Sequence, residues 1–171
     1  PAEPHEAVRR MAARWGGAGE SAVLGHRLPL PAPAAALVNG TLAHALDFDD
    51  THLPSVLHPS ASVVPAALAV AEAVGASGLA LCQAVAVGNE ITNRLGMASY
   101  LPELRNSLFF EKGWHATSIC GTVGAAAGAA LLLGLDAAGI AHAMGIAASM
   151  GAGVIEANRT GGTVKRVHCG W

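Results

Sequence analysis

The sequence predicts an all-α fold, a tightly packed helical bundle rich in alanine and glycine. Three observations carry it. Of 171 residues, 52% are hydrophobic but only 4% aromatic. Alanine and valine supply most of that hydrophobic fraction, and 21 glycines add further small volume. Helices favour Ala and Leu, whereas strands favour β-branched and aromatic side chains, and no alternating strand pair or repeat period is apparent. A core of this kind fills space by bringing backbones close together, not by interlocking large side chains.

Element by element, Glu3 to Trp15 reads as a short amphipathic helix, with Ala7, Val8, Met11 and Trp15 on one side, stopped by Gly16, Gly17 and Gly19. Ser21 to Pro33 is extended or loop-like, ending in a proline cluster. Ala34 to Thr51 carries helix formers and no proline, and Pro54 forces a stop beyond it. A helix starting at Ser60 or Ser62 tolerates Pro65 in its first turn and runs to Gly75. Ser77 caps the next, from Leu79 to about Ala98, with Glu90 and Arg94 as a helical pair. Pro102 to Lys112 is a polar connection. A further helix spans about Thr117 to Leu133 and closes at Gly134; Asp136 caps another that ends near Gly151 or Gly153. Asn158 to Thr163 is a polar loop, after which a last element begins.

Composition excludes several function classes. Ten Lys and Arg against twelve Asp and Glu give a net charge of −2, and only 13% of residues are charged. Nucleic-acid binding needs a basic stripe, and disorder goes with low hydrophobicity and high charge, so neither fits. Ala116 to Leu135 is long enough to span a bilayer but is built from small residues without aromatic belts or positive flanks, so a buried helix explains it better. Cys82, Cys120 and Cys169 form no C-x-x-C pair or zinc spacing; each reads as a small buried hydrophobe in a reducing, cytoplasmic setting. The opening Pro1-Ala2-Glu3-Pro4 does not read as a signal peptide.

The densest polar cluster runs from His44 to Ser60, HALDFDDTHLPSVLHPS. On a helix, His44, Asp47 and Thr51 share one face. Three acids near a helix C-terminus cost stability, which suits either a functional site or a solvated helix end. A metal site is a further reading, although the spacing matches no compact ligand motif. His58 and His115 each stand just before a small-residue helix start, where free N–H groups favour anions; taken singly, either is a capping histidine. His142, among Ala and Met, reads as a core histidine. Lys165, one of two lysines, sits in a charged TVKRVH stretch that by itself suits a solvated turn.

Together the stretches NGTLAHALDFDDTH, HPSASVVPAALAVAEAVGASG, GWHATSICGTVGAAAGAALLLGLD and TGGTVKRVHCGW resemble the MmgE/PrpD family, which includes 2-methylcitrate dehydratase and cis-aconitate decarboxylase. The resemblance covers nearly the whole chain from about Pro31. It implies a large helical domain joined to a smaller α+β domain, usually in a homodimer, with the active site between them. On that basis residues 1–171 form one incomplete all-α domain whose α+β partner lies outside this chain, and the piece alone is expected to be inactive. The resemblance implies Asp47, Thr51, His58, His115 and Lys165 as catalytic residues; Ser60, Arg166 and His168, which lie beside them in the sequence, are expected to bind substrate. It implies no iron–sulfur cluster, and no cofactor or metal is expected. The expected ligand is a small di- or tricarboxylate, and the expected reaction is dehydration of a 2-methylcitrate-like hydroxy acid by general acid–base chemistry. Decarboxylation or epimerisation of a related acid is the alternative within the family, and a non-catalytic binding or dimerisation module the alternative outside it.

Overall fold

The computed structural model describes residues 4–171 and is helical throughout its core. Helix α1 (Pro4–Ala12) leads to an extended stretch in which Ser21 bridges Leu30. The helices α2 (Ala32–Ala43), α3 (Ser60–Val74), α4 (Gly78–Ala98), α6 (Ala116–Leu132) and α7 (Ala137–Met150) build the bundle. Short elements fill the joins: a 3-10 turn at Leu53–Ser55, α5 (Leu108–Glu111), α8 (Glu156–Arg159) and α9 (Val164–Gly170). Among the described residues no helix is long and apolar enough to cross a membrane.

Local signals set most boundaries. Ser77 Oγ accepts the Ala80 N–H and Asp136 Oδ1 the Gly139 N–H, so both predicted N-caps form. Gly75 (φ 64°) ends α3 in the left-handed region, where a side chain would be strained. The first helix is shorter than predicted, ending at Ala12 with a turn before the glycines; its predicted start at Glu3 lies outside the described residues. A two-stranded antiparallel hairpin, β1 (Tyr100–Leu101) with β2 (Asn106–Ser107), corrects the expectation of no strand pair: Tyr100 faces Ser107 in register. Two residues per strand are too few to leave an alternating pattern.

Helix α6 lies at the centre, against α3, α4, α7 and α9. Its close approach to α4 depends on glycine at matched positions. A Cβ at Gly128 would stand 2.9 Å from the Ala84 carbonyl, and one at Gly124 would fall onto Thr92 Oγ1 and the Gly88 carbonyl. The second clash is with backbone and cannot be relieved by a rotamer change. Gly124→Ala is therefore expected to destabilise the protein by ~1–3 kcal/mol. The readout is a lower denaturant midpoint at unchanged m-value; a wild-type midpoint would mean that α4 and α6 are not this close.

Two further expectations are corrected. His142 is exposed rather than in the core, because α7 buries only Ala147. Cys82 is exposed on α4, whereas Cys120 and Cys169 are buried.

Candidate active site

Helix α2 stops at Ala43, eight residues short of the predicted end, and this break builds the site. His44 closes the helix with its ring fully buried. Three residues on, Asp47 adopts φ 54°, a left-handed conformation that aspartate tolerates better than most side chains. The predicted helical face of His44, Asp47 and Thr51 therefore does not exist. The loop folds back instead, and contacts from α9 hold it: Arg166 Nε donates to the Ala45 carbonyl at 2.5 Å and Lys165 Nζ to Asp47 Oδ1 at 2.6 Å. Helix α9 reaches this place because Gly40 of α2 and Gly170 cross closely; a Cβ on Gly40 would stand 2.7 Å from Gly170 Cα.

Four imidazoles converge here. His44 stands 5.1 Å from His58 and 5.8 Å from His115 between ring centroids, and His115 stands 5.5 Å from His168. His58 enters from the loop before α3, its backbone N–H bonded to Thr117 Oγ1 of α6. Its Nδ1–H donates to the Asp50 carbonyl at 2.9 Å, with Thr51 Oγ1 at 3.3 Å, leaving Nε2 3.8 Å from Asp47 Oδ1. His115 is the N-cap residue of α6, 1% exposed, fixed by its backbone N–H to the Gly153 carbonyl. Of the eight site residues expected from the sequence, Asp47, Thr51, His58, His115, Lys165 and His168 gather around this cluster. Ser60 and Arg166 hold loops instead: Ser60 Oγ donates to Asp50 Oδ2 at 2.9 Å, and Arg166 secures Ala45.

Two residues outside that set, His44 and Asp49, are central to the geometry. A carboxylate only accepts, so the 2.8 Å contact between His44 Nδ1 and Asp49 Oδ2 puts the proton on Nδ1 and leaves Nε2 facing the cluster, 3.6 Å from Asp47 Oδ1. His44 heads the HALDFDD stretch, and an acid five residues after it was the available signal; the helical template placed Asp49 on another face.

The electrostatics follow from burial beside Lys165 and among neighbouring imidazoles. Burial pushes the Asp47 carboxyl up, but the Lys165 hydrogen bond and charge, with His44 and His58, outweigh it and hold the group below its usual value. For Asp49, burial is likewise outweighed, chiefly by the His44 hydrogen bond. His115 is pushed down to about 3, first by burial and then by His44, His168, Lys165 and His58. His168 is lowered by burial and His44. His44 Nε2, both His115 nitrogens and His168 Nδ1 are buried without a hydrogen-bond partner. Native proteins rarely leave buried polar atoms unpaired, and four in one cluster mark a place for a ligand.

The depressed His115 makes acid stability a test. Between its ordinary value of 6.5 and about 3, the unfolded chain carries a proton on this ring that the folded chain does not. Stability therefore falls as pH falls through that window, by up to ~1.4 kcal/mol per pH unit from this residue. His115→Gln is expected to flatten the loss of denaturation midpoint across it; an unchanged slope would mean that His115 is not buried as a neutral ring.

A profile of the MmgE/PrpD N-terminal domain matches residues 1–171. The chain belongs to the MmgE/PrpD family. Among curated MmgE/PrpD relatives, cis-aconitate decarboxylase of Aspergillus terreus is 34% identical over 158 residues, covering 90% of this chain and 31% of the relative. A cis-aconitate decarboxylase-like protein of Aspergillus oryzae is 34% identical over 156 residues, 87% of this chain and 31% of its own length. Human cis-aconitate decarboxylase is 40% identical over 124 residues, 70% of this chain and 24% of the relative. The chain thus spans less than a third of the length of these MmgE/PrpD proteins.

Proposed function

We propose that this chain carries the helical side of the active site of a lyase acting on a small tricarboxylic acid. The four unpaired buried nitrogens beside Lys165 carry the reading: four ring nitrogens without internal partners and one ammonium form a polar pocket wall. Two of the relatives named above are cis-aconitate decarboxylases and the third is a cis-aconitate decarboxylase-like protein, which favours carbon–carbon cleavage over the dehydration expected first from the sequence. Lys165 and the N–H groups at the starts of α3 and α6 would hold carboxylates. Cleavage of a C–C bond releases CO2 and leaves an electron pair delocalised into the neighbouring unsaturated carboxylate. His115, protonated once the anion is bound, returns a proton to that carbon. Asp47 positions Lys165 and faces His44 and His58.

Dehydration of a 2-methylcitrate-like hydroxy acid is the second reading, favoured by two imidazoles, His58 and His115, that could divide the base and acid roles. Leu46, Phe48 and Leu53, exposed by 82%, 92% and 77%, border the site and suit coverage by a second domain outside this chain. A homodimer belongs to the same reading, testable by sedimentation of the full-length protein.

The deciding experiment gives full-length protein cis-aconitate, 2-methylcitrate and citrate, following CO2 release and conjugated-alkene absorbance. CO2 from cis-aconitate is expected; new alkene absorbance from methylcitrate without CO2 would install the dehydratase reading. Silence with every acid would sink the lyase and leave the binding module.

A further inference from the structure

One buried group takes no part in this chemistry. Cys169 of α9 is 4% exposed, and its thiol is pushed well above the usual range, first by burial. A carboxylate substrate has no use for a thiol. Its neighbours do suggest one: Cys169 Sγ and ring nitrogens of His44 and His115 all lie within 4.8 Å of one another.

We propose that His44, His115 and Cys169 form a buried site for one thiophilic divalent cation of the zinc class. Two imidazoles and a thiolate are a donor set that zinc accepts in tetrahedral geometry with a fourth position open. All three side chains are at least nine-tenths buried, and neither His44 Nε2 nor either His115 nitrogen has a hydrogen-bond partner. Asp49 adds an independent feature. By taking the Nδ1–H of His44 it fixes the tautomer that leaves the Nε2 lone pair free, the carboxylate–histidine order found behind metal-bound imidazoles. Closing onto a cation at ~2.0 Å for nitrogen and ~2.3 Å for sulfur needs side-chain shifts of about 1 Å. Sequence spacing hides this donor set, because its members come from the end of α2, the cap of α6 and α9.

On binding, the Cys169 S–H bond breaks, the proton leaves to solvent and the sulfur donates its pair to the cation; no electron transfer is involved. Coordination occupies His115, so the metal-bound protein cannot use that ring as a proton carrier. This consequence rests on the proposed function; the binding itself does not.

The test is a cobalt titration of the reduced, metal-stripped full-length protein, cobalt(II) reporting the ligands that zinc would take. A near-ultraviolet thiolate-to-cobalt charge-transfer band is expected to saturate at one cobalt per chain and to vanish on adding zinc. Cys169→Ser should abolish the band with the helical circular dichroism unchanged, whereas Cys82→Ser should retain it. Asp49→Asn should weaken cobalt affinity by about 10- to 100-fold. Absence of the band in the wild type, or its persistence in Cys169→Ser, overturns the proposal. Should Cys169→Ser fail to fold, an unchanged affinity in Asp49→Asn overturns it instead. A cobalt band in a protein silent on every acid would uphold the metal site while removing the lyase.

Discussion

Replacing His115 with Gln in the full-length protein is expected to lower turnover by about 10²- to 10⁴-fold while leaving substrate affinity within a few-fold. The side chain of similar length keeps the start of α6 packed, and the backbone N–H still reaches the Gly153 carbonyl. What disappears is a ring that can take and return a proton. That ring is neutral down to about pH 3, first because it is buried and then because a charge on it would meet His44, His168, Lys165 and His58. A bound tricarboxylate reverses the sign of that local field and raises the pKa. For a decarboxylase the protonated ring is the competent form, so kcat should decline as pH rises through the pKa of the complex. That limb should be missing from the residual activity of His115→Gln. Wild-type turnover in this variant would remove His115 as the proton carrier.

The parts of this site that were legible in the sequence are those set by local chemistry. Ser77 and Asp136 cap helices through hydrogen bonds spanning three residues, and Gly75 and Gly134 supply left-handed stops at their own positions. Such signals fit inside a short window. The end of α2 does not. Nothing between Ala43 and Thr51 is a strong breaker; the loop turns there because Lys165 and Arg166, 118 and 121 residues away from their partners, hold Asp47 and Ala45. The resemblance could place Asp47, His58, His115 and Lys165 as separate members, but not reveal that His44 is the ring they surround. His142 departs from expectation for a related reason: an Ala- and Met-rich neighbourhood marks a helix without saying which side packs, and α7 turns this residue outward.

For Lys165→Ala the expected result is a loss of affinity rather than of chemistry, about 30-fold in the dissociation constant with kcat changed less than KM. Lys165 keeps only 11% of its side chain exposed and reaches Asp47 at 2.6 Å, so its ammonium is the well-shielded end of a pair whose carboxylate is half exposed. Losing one charge-assisted contact to a substrate carboxylate costs about 2 kcal/mol at the lower end of the range for such pairs, the appropriate end because the neighbouring Asp47 is 46% exposed. The loss is compounded electrostatically. With Lys165 gone, burial works against the Asp47 carboxylate with less opposition, and its pKa rises. While it stays ionised, however, it repels the substrate that Lys165 formerly attracted. The stability consequence has a definite sign. A carboxyl held below its usual value stabilises the fold above that value and loses the contribution as pH falls through the lowered pKa. The wild type should therefore hold an advantage over Lys165→Ala at neutral pH that shrinks on acidification. Lys165→Arg restores charge without the same point geometry and should recover part of the affinity. Lys112→Ala removes the other lysine, exposed at the end of α5, and should leave binding unchanged. Equal affinity in Lys165→Ala and wild type would mean that the substrate's carboxylates are held elsewhere, and that Lys165 serves only to keep Asp47 and its loop in place.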